Sequence, residues 1–487
     1  MQIDLIALKI TAEIETIKEI IALMAIWKPD LTSRRGPKYL QIVEALSDDI
    51  AAGILTFGDR LPPHRELAYQ LSLSPNTTGR AYAEAVNRAL IRGEVGRGTF
   101  VRGPATEAPA LESGTLQRPA NGPIDLSRNL PLPGLAGEKL ASTCIELGRS
   151  GNLAALADYQ TEADLHRHTA AAMLWLKRHG VASTAEETVI TAGAQHGILC
   201  ALMALCEPGD VLLTEQLTYQ PLKAMAARLG LKIAAIASDS QGPCPEDIDR
   251  LCRQRRVRAL YLTPTLHTPT GRTMPQERRE AIATLLNAHG VHLIEDDVFG
   301  LFHPGRQQPI ARLAPELTIS ITSTSKYLAP GLRVGFVRAP ARLAGAIRGA
   351  VNLSCWMTPP LNTEIVARWI GDGTADELVA RQLSAASGRQ ALARQILGEH
   401  APRDRAAGLH LWLDLPDGWS ADQFCVRAAG RNVLVTGGEA FAIIPSAGKT
   451  SIRICLSHEA DAARLETGLS VLRHILDAGP RQAPLVL

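Results

Sequence analysis

Residues 323–335 read STSKYLAPGLRVG and directly follow a short apolar stretch, residues 318–322, that is typical of a buried strand. A lysine at the end of a strand can form an imine with an aldehyde cofactor if it is partly desolvated and its neighbours hold a phosphate. Because a lone lysine after a strand is more often a surface residue, Lys326 needs independent partners. The side chains offered for phosphate contacts lie in the same stretch: Ser323, Ser325 and Arg333.

Partners for Lys326 occur upstream, in the order that a pocket at the strand ends requires. Residues 191–195, TAGAQ, precede a helix predicted over residues 198–206, and free backbone N–H groups around Ala194 and Gln195 would seat a phosphate. Tyr219 follows another apolar strand and offers a ring to stack on a pyridine. A carboxylate at the end of a further strand would pair with the pyridine nitrogen and keep it protonated. Two candidates stand there, Asp296 and its rival Asp297, and only spacing favours Asp296.

The long C-terminal part alternates short apolar runs with amphipathic helical stretches. This alternation predicts an α/β domain with a mostly parallel sheet, helices on both faces and a smaller C-terminal α+β subdomain. Ligand sites in such sheets lie at the carboxyl ends of the strands. The runs that predict strands are residues 211–214, 259–263, 291–295 and 318–322.

The N-terminal part predicts a small α+β unit. Helical patterns over residues 39–54, 65–71 and 75–90 include two short helices joined by a tight turn, and residues 91–101 predict a two-stranded hairpin around glycines. Ten Lys or Arg stand against seven acids between residues 32 and 103. The surplus is modest, but its placement suits phosphates or base edges of double-stranded DNA: Arg65, Arg80 and Arg97.

Composition indicates a soluble, folded chain. Apolar residues make up 46% and charged residues 21%, and a net charge of +2 gives no global argument for nucleic acid. The eight cysteines show no paired spacing, so we interpret them as reduced, mostly core residues of a cytoplasmic protein. Charges interrupt the Ile- and Leu-rich residues 3–27, which predict an amphipathic helix rather than a membrane span.

Composition also divides the chain into four predicted parts. Residues 1–30 form the amphipathic N-terminal helical extension, and residues 31–103 form the winged helix-turn-helix. Residues 104–123 are rich in Pro, Gly, Ala and Ser without a hydrophobic period, as in a flexible linker. Residues 124–487 form the large α/β domain.

Residues 61–82, LPPHRELAYQLSLSPNTTGRAY, and residues 96–101, GRGTFV, together resemble the GntR family of winged-helix regulators. Hinge, turn, recognition helix and wing occur in register over some seventy residues. The resemblance implies a DNA-binding domain. The residues that fall where the family touches DNA are Arg65, Asn76, Thr77, Arg80 and Gly98.

The constellation around Lys326 resembles the fold type I aminotransferases, which use pyridoxal 5'-phosphate (PLP). With the N-terminal domain attached, the chain resembles the MocR subfamily of GntR regulators. The resemblance runs from about residue 124 to the end. It implies that Arg453 holds a substrate or effector carboxylate. It also implies that Tyr159 reaches the phosphate of a neighbouring subunit, and hence a homodimer.

Two departures from the aminotransferase pattern concern donors to the phenolic oxygen of PLP. Thr268 stands where the pattern has Asn, and Phe299 stands where it has Tyr. Threonine is shorter and phenylalanine has no hydroxyl. We therefore expect reversible imine formation with an amino acid or amine to persist while efficient transamination is lost.

Three functions remain open at this point. The leading one is a PLP-dependent transcription regulator that senses an amino acid or amine effector through imine chemistry at Lys326. The alternatives are an active aminotransferase that carries a DNA-binding domain, and a DNA-binding protein whose large domain only dimerises. No metal site is expected, since His166 and His168 lack further ligands at suitable spacing and look like surface residues.

Overall fold

The computed structural model describes residues 27–480 except 33, 35, 53, 56–58, 89, 95–97, 102–121, 152, 161, 304, 306 and 403–407. The chain divides into two compact units, Met1–Ser113 and Gly114–Leu487. Three predictions fall largely or wholly outside the described residues: the N-terminal helical extension, the linker and the DNA contact of Arg97.

The first unit contains three helices and a small antiparallel sheet within its described residues. The three strands pair in the order β1-β3-β2, so β2 and β3 form the predicted wing. The elements are α1 (Lys38–Ala51), β1 (Arg60–Leu61), α2 (His64–Gln70), α3 (Pro75–Asn87), β2 (Ile91–Glu94) and β3 (Gly98–Val101).

Local chemistry explains the tight turn between α2 and α3. Ser72 takes a left-handed φ of 53°, and the Ser74 hydroxyl caps α3 by accepting from the Thr77 N–H at 3.2 Å. Pro75 occupies the first helical position, where its missing N–H costs nothing. The Thr78 hydroxyl donates to the His64 carbonyl at 2.7 Å and ties α3 to the start of α2. These contacts fix the orientation of α3 relative to α2.

The second unit is built on a sheet of seven strands among the residues described. The order is β5-β13-β12-β11-β10-β6-β7, and every strand but β13 runs in the same direction. The strands are β5 (Thr188–Thr191), β6 (Val211–Glu215), β7 (Lys232–Ile236), β10 (Val257–Leu262), β11 (His292–Asp296), β12 (Thr318–Ser323) and β13 (Gly335–Arg338).

Both faces of this sheet are buried, which explains the uninterrupted apolar runs in the sequence. Leu212 and Ile294 enter one core cluster, whereas their chain neighbours Leu213 and Leu293 enter another on the opposite face. The helices of this unit are α4 (Gly137–Arg149), α5 (Leu153–Ala157), α6 (Glu162–Arg178), α7 (Ala194–Leu205), α8 (Gln220–Arg228), α9 (Pro245–Gln254), α10 (Gln276–His289), α11 (Ile310–Leu313), α12 (Ala341–Cys355), α13 (Pro360–Asp372) and α14 (Thr374–Leu397).

A smaller α+β subdomain completes the chain, as predicted. Its strands β14 (His410–Asp414), β16 (Thr436–Gly437) and β17 (Ser451–Cys455) form an antiparallel sheet backed by α15 (Ala421–Ala429) and α16 (Ala462–Asp477). Strand β4 (Ile124–Asp125), at the start of the described second unit, pairs in parallel with β15 (Val433–Leu434) of this subdomain. The small strands β8 (Ser238–Asp239) and β9 (Gly242–Pro243) form a separate hairpin.

Two expectations about burial are wrong. His168 is buried rather than at the surface, because its Nε2 donates to the Glu364 carboxylate at 3.1 Å between α6 and α13. The cysteines are unpaired, but only Cys200 and Cys455 are buried. No helix in the described part of the chain is long and apolar enough to cross a bilayer.

Candidate functional site: a lysine pocket at the strand ends

Lys326 lies just after β12, at the edge of the sheet where the parallel strands end. Its Nζ donates to the carbonyl of Asn129 at 2.6 Å and lies 5.5 Å from the centre of the Phe299 ring. Burial, followed by the nearby Arg453 cation, lowers the pKa of Lys326 from 10.5 to about 8. The fraction of this amine that is neutral, and so nucleophilic, near physiological pH is therefore far larger than for an ordinary lysine.

The lowered pKa predicts how fast an aldehyde cofactor attaches at different pH values. The neutral amine is the reactive form, so the attachment rate should rise about tenfold per pH unit and level off near pH 8, well below the 10.5 of an ordinary lysine. Trapping PLP with borohydride between about pH 6 and pH 10 measures this profile. Arg453→Gln, which removes a repelling cation, should move the midpoint upward. A midpoint near pH 10 in the unaltered protein would contradict the prediction.

The predicted phosphate contacts meet at the start of α7. Arg333 Nη1 donates to Ser325 Oγ at 3.3 Å, and its Nη2 donates to the Ala192 carbonyl at 3.2 Å. Ser323 Oγ lies 2.9 Å from Ser325 Oγ. The Tyr219 hydroxyl donates to the Gln195 side chain at 3.1 Å. Ala194 and Gln195 open α7, whose first turn has no side-chain cap, so its N–H groups are available to an anion.

Two glycines permit this convergence. Gly193 has φ 89°, and a Cβ there would lie 2.4 Å from Arg333 Nη2. A Cβ on Gly335, in β13, would lie 2.5 Å from the Gly193 carbonyl carbon and 2.8 Å from the Ala194 nitrogen. The turn before α7 and the strand beside it are thus in backbone-to-backbone contact.

The two rival carboxylates separate in the structure. Asp296 ends β11, accepts from the Tyr261 hydroxyl at 2.7 Å, and acts electrostatically on Lys326 and Tyr219. Burial raises the pKa of Asp296 to about 6, against the opposing hydrogen bond from Tyr261. Asp297 instead contacts the buried His179 ring at 2.8 Å. Only Asp296 therefore faces the groups around Lys326.

Arg453 extends from β17 into the same pocket. Its Nη2 donates to the Ser127 carbonyl at 2.8 Å, and its guanidinium lies 4.6 Å from the centre of the Phe441 ring. The side chain is buried, yet its Nε has no hydrogen-bond partner among the described residues. A buried donor without a partner is costly, and a carboxylate in the pocket would satisfy it.

Phe299 lies next to Lys326, and both Phe299 and the residue after Thr268 contact the His410 ring. Phe299 is buried and packs edge-on against His410, at 6.1 Å between ring centres. Thr268 is buried and precedes Pro269, whose carbonyl accepts from His410 Nε2 at 3.0 Å. Burial lowers the pKa of His410 to about 3, so its Nδ1 accepts from the Asn129 side-chain amide at 3.0 Å.

Tyr159 lies apart from these groups. Its side chain is 79% exposed, and its ring lies 5.7 Å from that of Trp356, which is also exposed. The structure therefore does not bring Tyr159 to the phosphate contacts of its own chain.

The predicted DNA contacts of the first unit lie on or beside α2, α3 and the wing. Arg65, Asn76 and Arg80 are exposed, and Arg80 stacks on the Tyr39 ring of α1 at 4.1 Å. Gly98 has φ 124°, and a Cβ there would lie 2.9 Å from Arg60 Nε, so this position requires glycine on structural grounds alone.

Two family descriptions match the chain in succession. "Bacterial regulatory proteins, gntR family" matches residues 38–101, and "Aminotransferase class I and II" matches residues 122–471. The vitamin B6 salvage pathway transcriptional repressor PtsJ of Salmonella typhimurium is 30% identical over 86% of this chain and 94% of its own length. The chain is a GntR-type regulator of the MocR subfamily. The HTH-type transcriptional regulator YdeF of Bacillus subtilis is 29% identical over 93% of this chain and 97% of its own length.

Solved aminotransferases share the fold of the second unit. LysN, the α-aminoadipate aminotransferase of Thermus thermophilus, aligns with a TM-score of 0.65 at 24% identity, over 74% of this chain and 93% of its own. An archaeal alanine:glyoxylate aminotransferase aligns with a TM-score of 0.67 at 21% identity, over 74% of this chain and 92% of its own. The predicted fold class is confirmed.

The MocR chain has the features that PLP requires. Its class I and II aminotransferase domain implies this cofactor. The residues present fit it, because an uncapped helix start beside Arg333 suits a phosphate, and a buried carboxylate at Asp296 suits a pyridine nitrogen. The described residues include no cluster of His, Cys, Asp and Glu that would hold a metal ion.

Sequence reasoning missed three residues of this MocR pocket: Asn129, Tyr261 and His410. Tyr261 lies inside a predicted strand next to that of Asp296, and strand adjacency alone would have pointed to it. Asn129 and His410 are remote in sequence from Lys326, and no local pattern marks either of them.

Proposed function

We propose that this MocR regulator senses an amino acid or amine at Lys326 and converts its binding into a change in DNA affinity. The observation that carries the proposal is the Nε of Arg453, which is buried and has no hydrogen-bond partner in the described part of the chain, near a lysine of lowered pKa. The domain limits proposed with it are residues 31–103 for DNA binding and 124–487 for effector binding, with 104–123 between them.

Each residue of the pocket in the second unit has a proposed role in binding PLP or the effector. Ala194, Gln195, Ser323, Ser325 and Arg333 would hold the phosphate, with Tyr219 against the pyridine ring. When bound, PLP supplies a reactive aldehyde and an electron-withdrawing ring. Asp296 would hold the protonated ring nitrogen, Lys326 would offer its amine to the aldehyde, and Arg453 would orient the carboxylate of the effector.

Weak transamination is supported by the pocket wall near Lys326. Phe299 offers only an apolar ring and Thr268 a short hydroxyl, so the chain places no Tyr or Asn donor at these positions. Control of the proton near the reacting nitrogen is then poor, which favours reversible binding over turnover.

DNA recognition rests on the exposed start of α3 and its surroundings. Arg65, Asn76 and Arg80 are exposed and Thr77 is half-buried, so these four side chains, together with the Gly98 backbone, are accessible to phosphates and base edges of duplex DNA. A contact from Arg97 is proposed on the sequence alone.

A homodimer is supported by an aromatic surface around Tyr159. Tyr159, Leu353 and Trp356 are 79%, 79% and 62% exposed, which is unusual for large apolar side chains so close together. A second copy would cover them and bring Tyr159 to its phosphate.

Binding of the PLP-loaded full chain to a duplex selected from a random pool tests the proposal. At least one compound in a panel of amino acids and simple amines should change the DNA affinity by roughly tenfold. Steady-state assays with an amino donor and a keto acid should show little turnover, because the donors near Lys326 are missing. Fluorescence anisotropy and keto-acid release measure the two quantities.

Two variants serve as controls for this test. Arg453→Gln should lose the response to effectors that carry a carboxylate and keep basal DNA binding. Thr268→Asn with Phe299→Tyr should raise turnover, because both donors return. Rapid turnover by the unaltered chain without any effect on DNA would favour an active aminotransferase instead.

A further inference from the structure

The segment of residues 122–129, here called the lead-in segment, joins the predicted linker directly to the lysine pocket. Arg464 Nη2 donates to the Gly122 carbonyl at 3.0 Å, and β4 pairs with β15. The Asp125 carboxylate accepts from the Ser127 N–H at 2.9 Å and from its hydroxyl at 2.6 Å. The chain is thus fixed to the C-terminal subdomain from residue 122 onward, which includes the last two residues of the predicted linker.

The same segment ends on the two groups proposed to bind the effector. The Ser127 carbonyl accepts from Arg453 Nη2 at 2.8 Å and from the Thr436 hydroxyl at 3.0 Å. The Asn129 carbonyl accepts from Lys326 Nζ at 2.6 Å. Two hydrogen bonds, Arg453 to Ser127 and Lys326 to Asn129, therefore connect the proposed effector-binding side chains to the backbone that leads to the DNA-binding unit.

We propose that an effector carboxylate takes Arg453 from the Ser127 carbonyl and so loosens the lead-in segment, an inference that rests on the proposed function. A carboxylate is a stronger acceptor for a guanidinium than a neutral carbonyl is. Nε and Nη2 lie on one edge of the guanidinium; Nε has no partner among the residues that the structure describes, and Nη2 donates to the Ser127 carbonyl. A two-oxygen ligand on that edge would bind Nε and Nη2, and Nη2 is the nitrogen that donates to Ser127; Ser127 is therefore a positioning residue.

Hydrogen exchange of the full chain tests the inference with two matched probes. N-(5'-phosphopyridoxyl)-L-leucine and pyridoxamine phosphate share the phosphate and the ring, but only the first carries a carboxylate. The amides to follow are those of Ile124, Leu126 and Ser127, which donate to Asn432 O, Leu434 O and Asp125 Oδ1. With the leucine compound they should exchange about fivefold faster than with pyridoxamine phosphate, the ratio for the loss of one net hydrogen bond.

A pair of variants separates this role from a general structural one. Thr436→Val removes the second donor to the Ser127 carbonyl, so it should speed exchange in the lead-in segment without any ligand and amplify the effect of the leucine compound. The Thr284 hydroxyl donates in the same way to the Glu280 carbonyl, within α10. Thr284→Val should therefore change neither the exchange of the lead-in segment without ligand nor the effect of the leucine compound.

The outcomes are distinct. Binding of both compounds with equal exchange, or slower exchange with the leucine compound, overturns the inference and leaves the cofactor site standing. If neither compound binds, as judged by calorimetry, the proposed function fails and the inference fails with it.

Discussion

Replacing Lys326 by alanine is expected to abolish covalent attachment of PLP while leaving the fold intact. The charges of Asp296 and Arg453 both act on the amine of Lys326, and its lowered pKa increases its reactivity at neutral pH. Alanine removes the nucleophile, so no other attachment point of comparable geometry remains at the end of β12. After borohydride reduction, the unaltered chain should gain the mass of a phosphopyridoxyl group on the peptide that contains residue 326, and Lys326→Ala should gain none.

Lys223 offers a matched control. It is also half-buried, also donates from Nζ to a main-chain carbonyl, that of Ala442 at 3.2 Å, and burial also lowers its pKa. Lys223→Ala should keep full attachment at position 326. Equal labelling of both lysines would show that attachment follows amine reactivity alone, and the pocket assignment would be wrong.

Asp296→Asn is expected to weaken PLP binding by roughly a hundred- to a thousand-fold, the effect of removing one partner from a buried charge pair. Burial already raises the pKa of Asp296 to about 6, so the carboxylate is ionised at neutral pH and becomes protonated as the pH falls below that value. The unaltered chain should therefore also lose PLP affinity below about pH 6. Equilibrium dialysis or calorimetry at several pH values measures both effects.

Asp297→Asn distinguishes the two neighbouring carboxylates. Asp297 contacts His179, so its loss should lower the free energy of unfolding by about 1–3 kcal/mol, as for a buried group that loses its partner. It should change PLP affinity far less than Asp296→Asn does. If Asp297→Asn had the larger effect on affinity, the spacing argument that chose Asp296 would be wrong.

The fold could be predicted because its signals are local and periodic. Apolar runs such as residues 318–322 and 291–295 became β12 and β11 with shifts of one residue, since both faces of the sheet are buried. The predicted site residues after these strands meet for a geometric reason: parallel strands end at one edge.

What could not be predicted depends on contacts across long sequence separations. His168 has polar neighbours in sequence, but its burial depends on Glu364, 196 residues further on. His410 and Asn129 meet across 281 residues. No pattern within a helix or strand encodes such pairs.

The contact between Gly335 and Gly193 links tolerance of mutation to retention of the cofactor. A methyl group on Gly335 would displace the Ala194 nitrogen, one of the groups available to the phosphate, because the intruding atom would lie 2.8 Å from it. A side chain at position 335 should therefore weaken the binding of PLP, because it disturbs the backbone at the start of α7. Related regulators whose sequences have lost Gly193 or Gly335 are therefore expected to work without PLP.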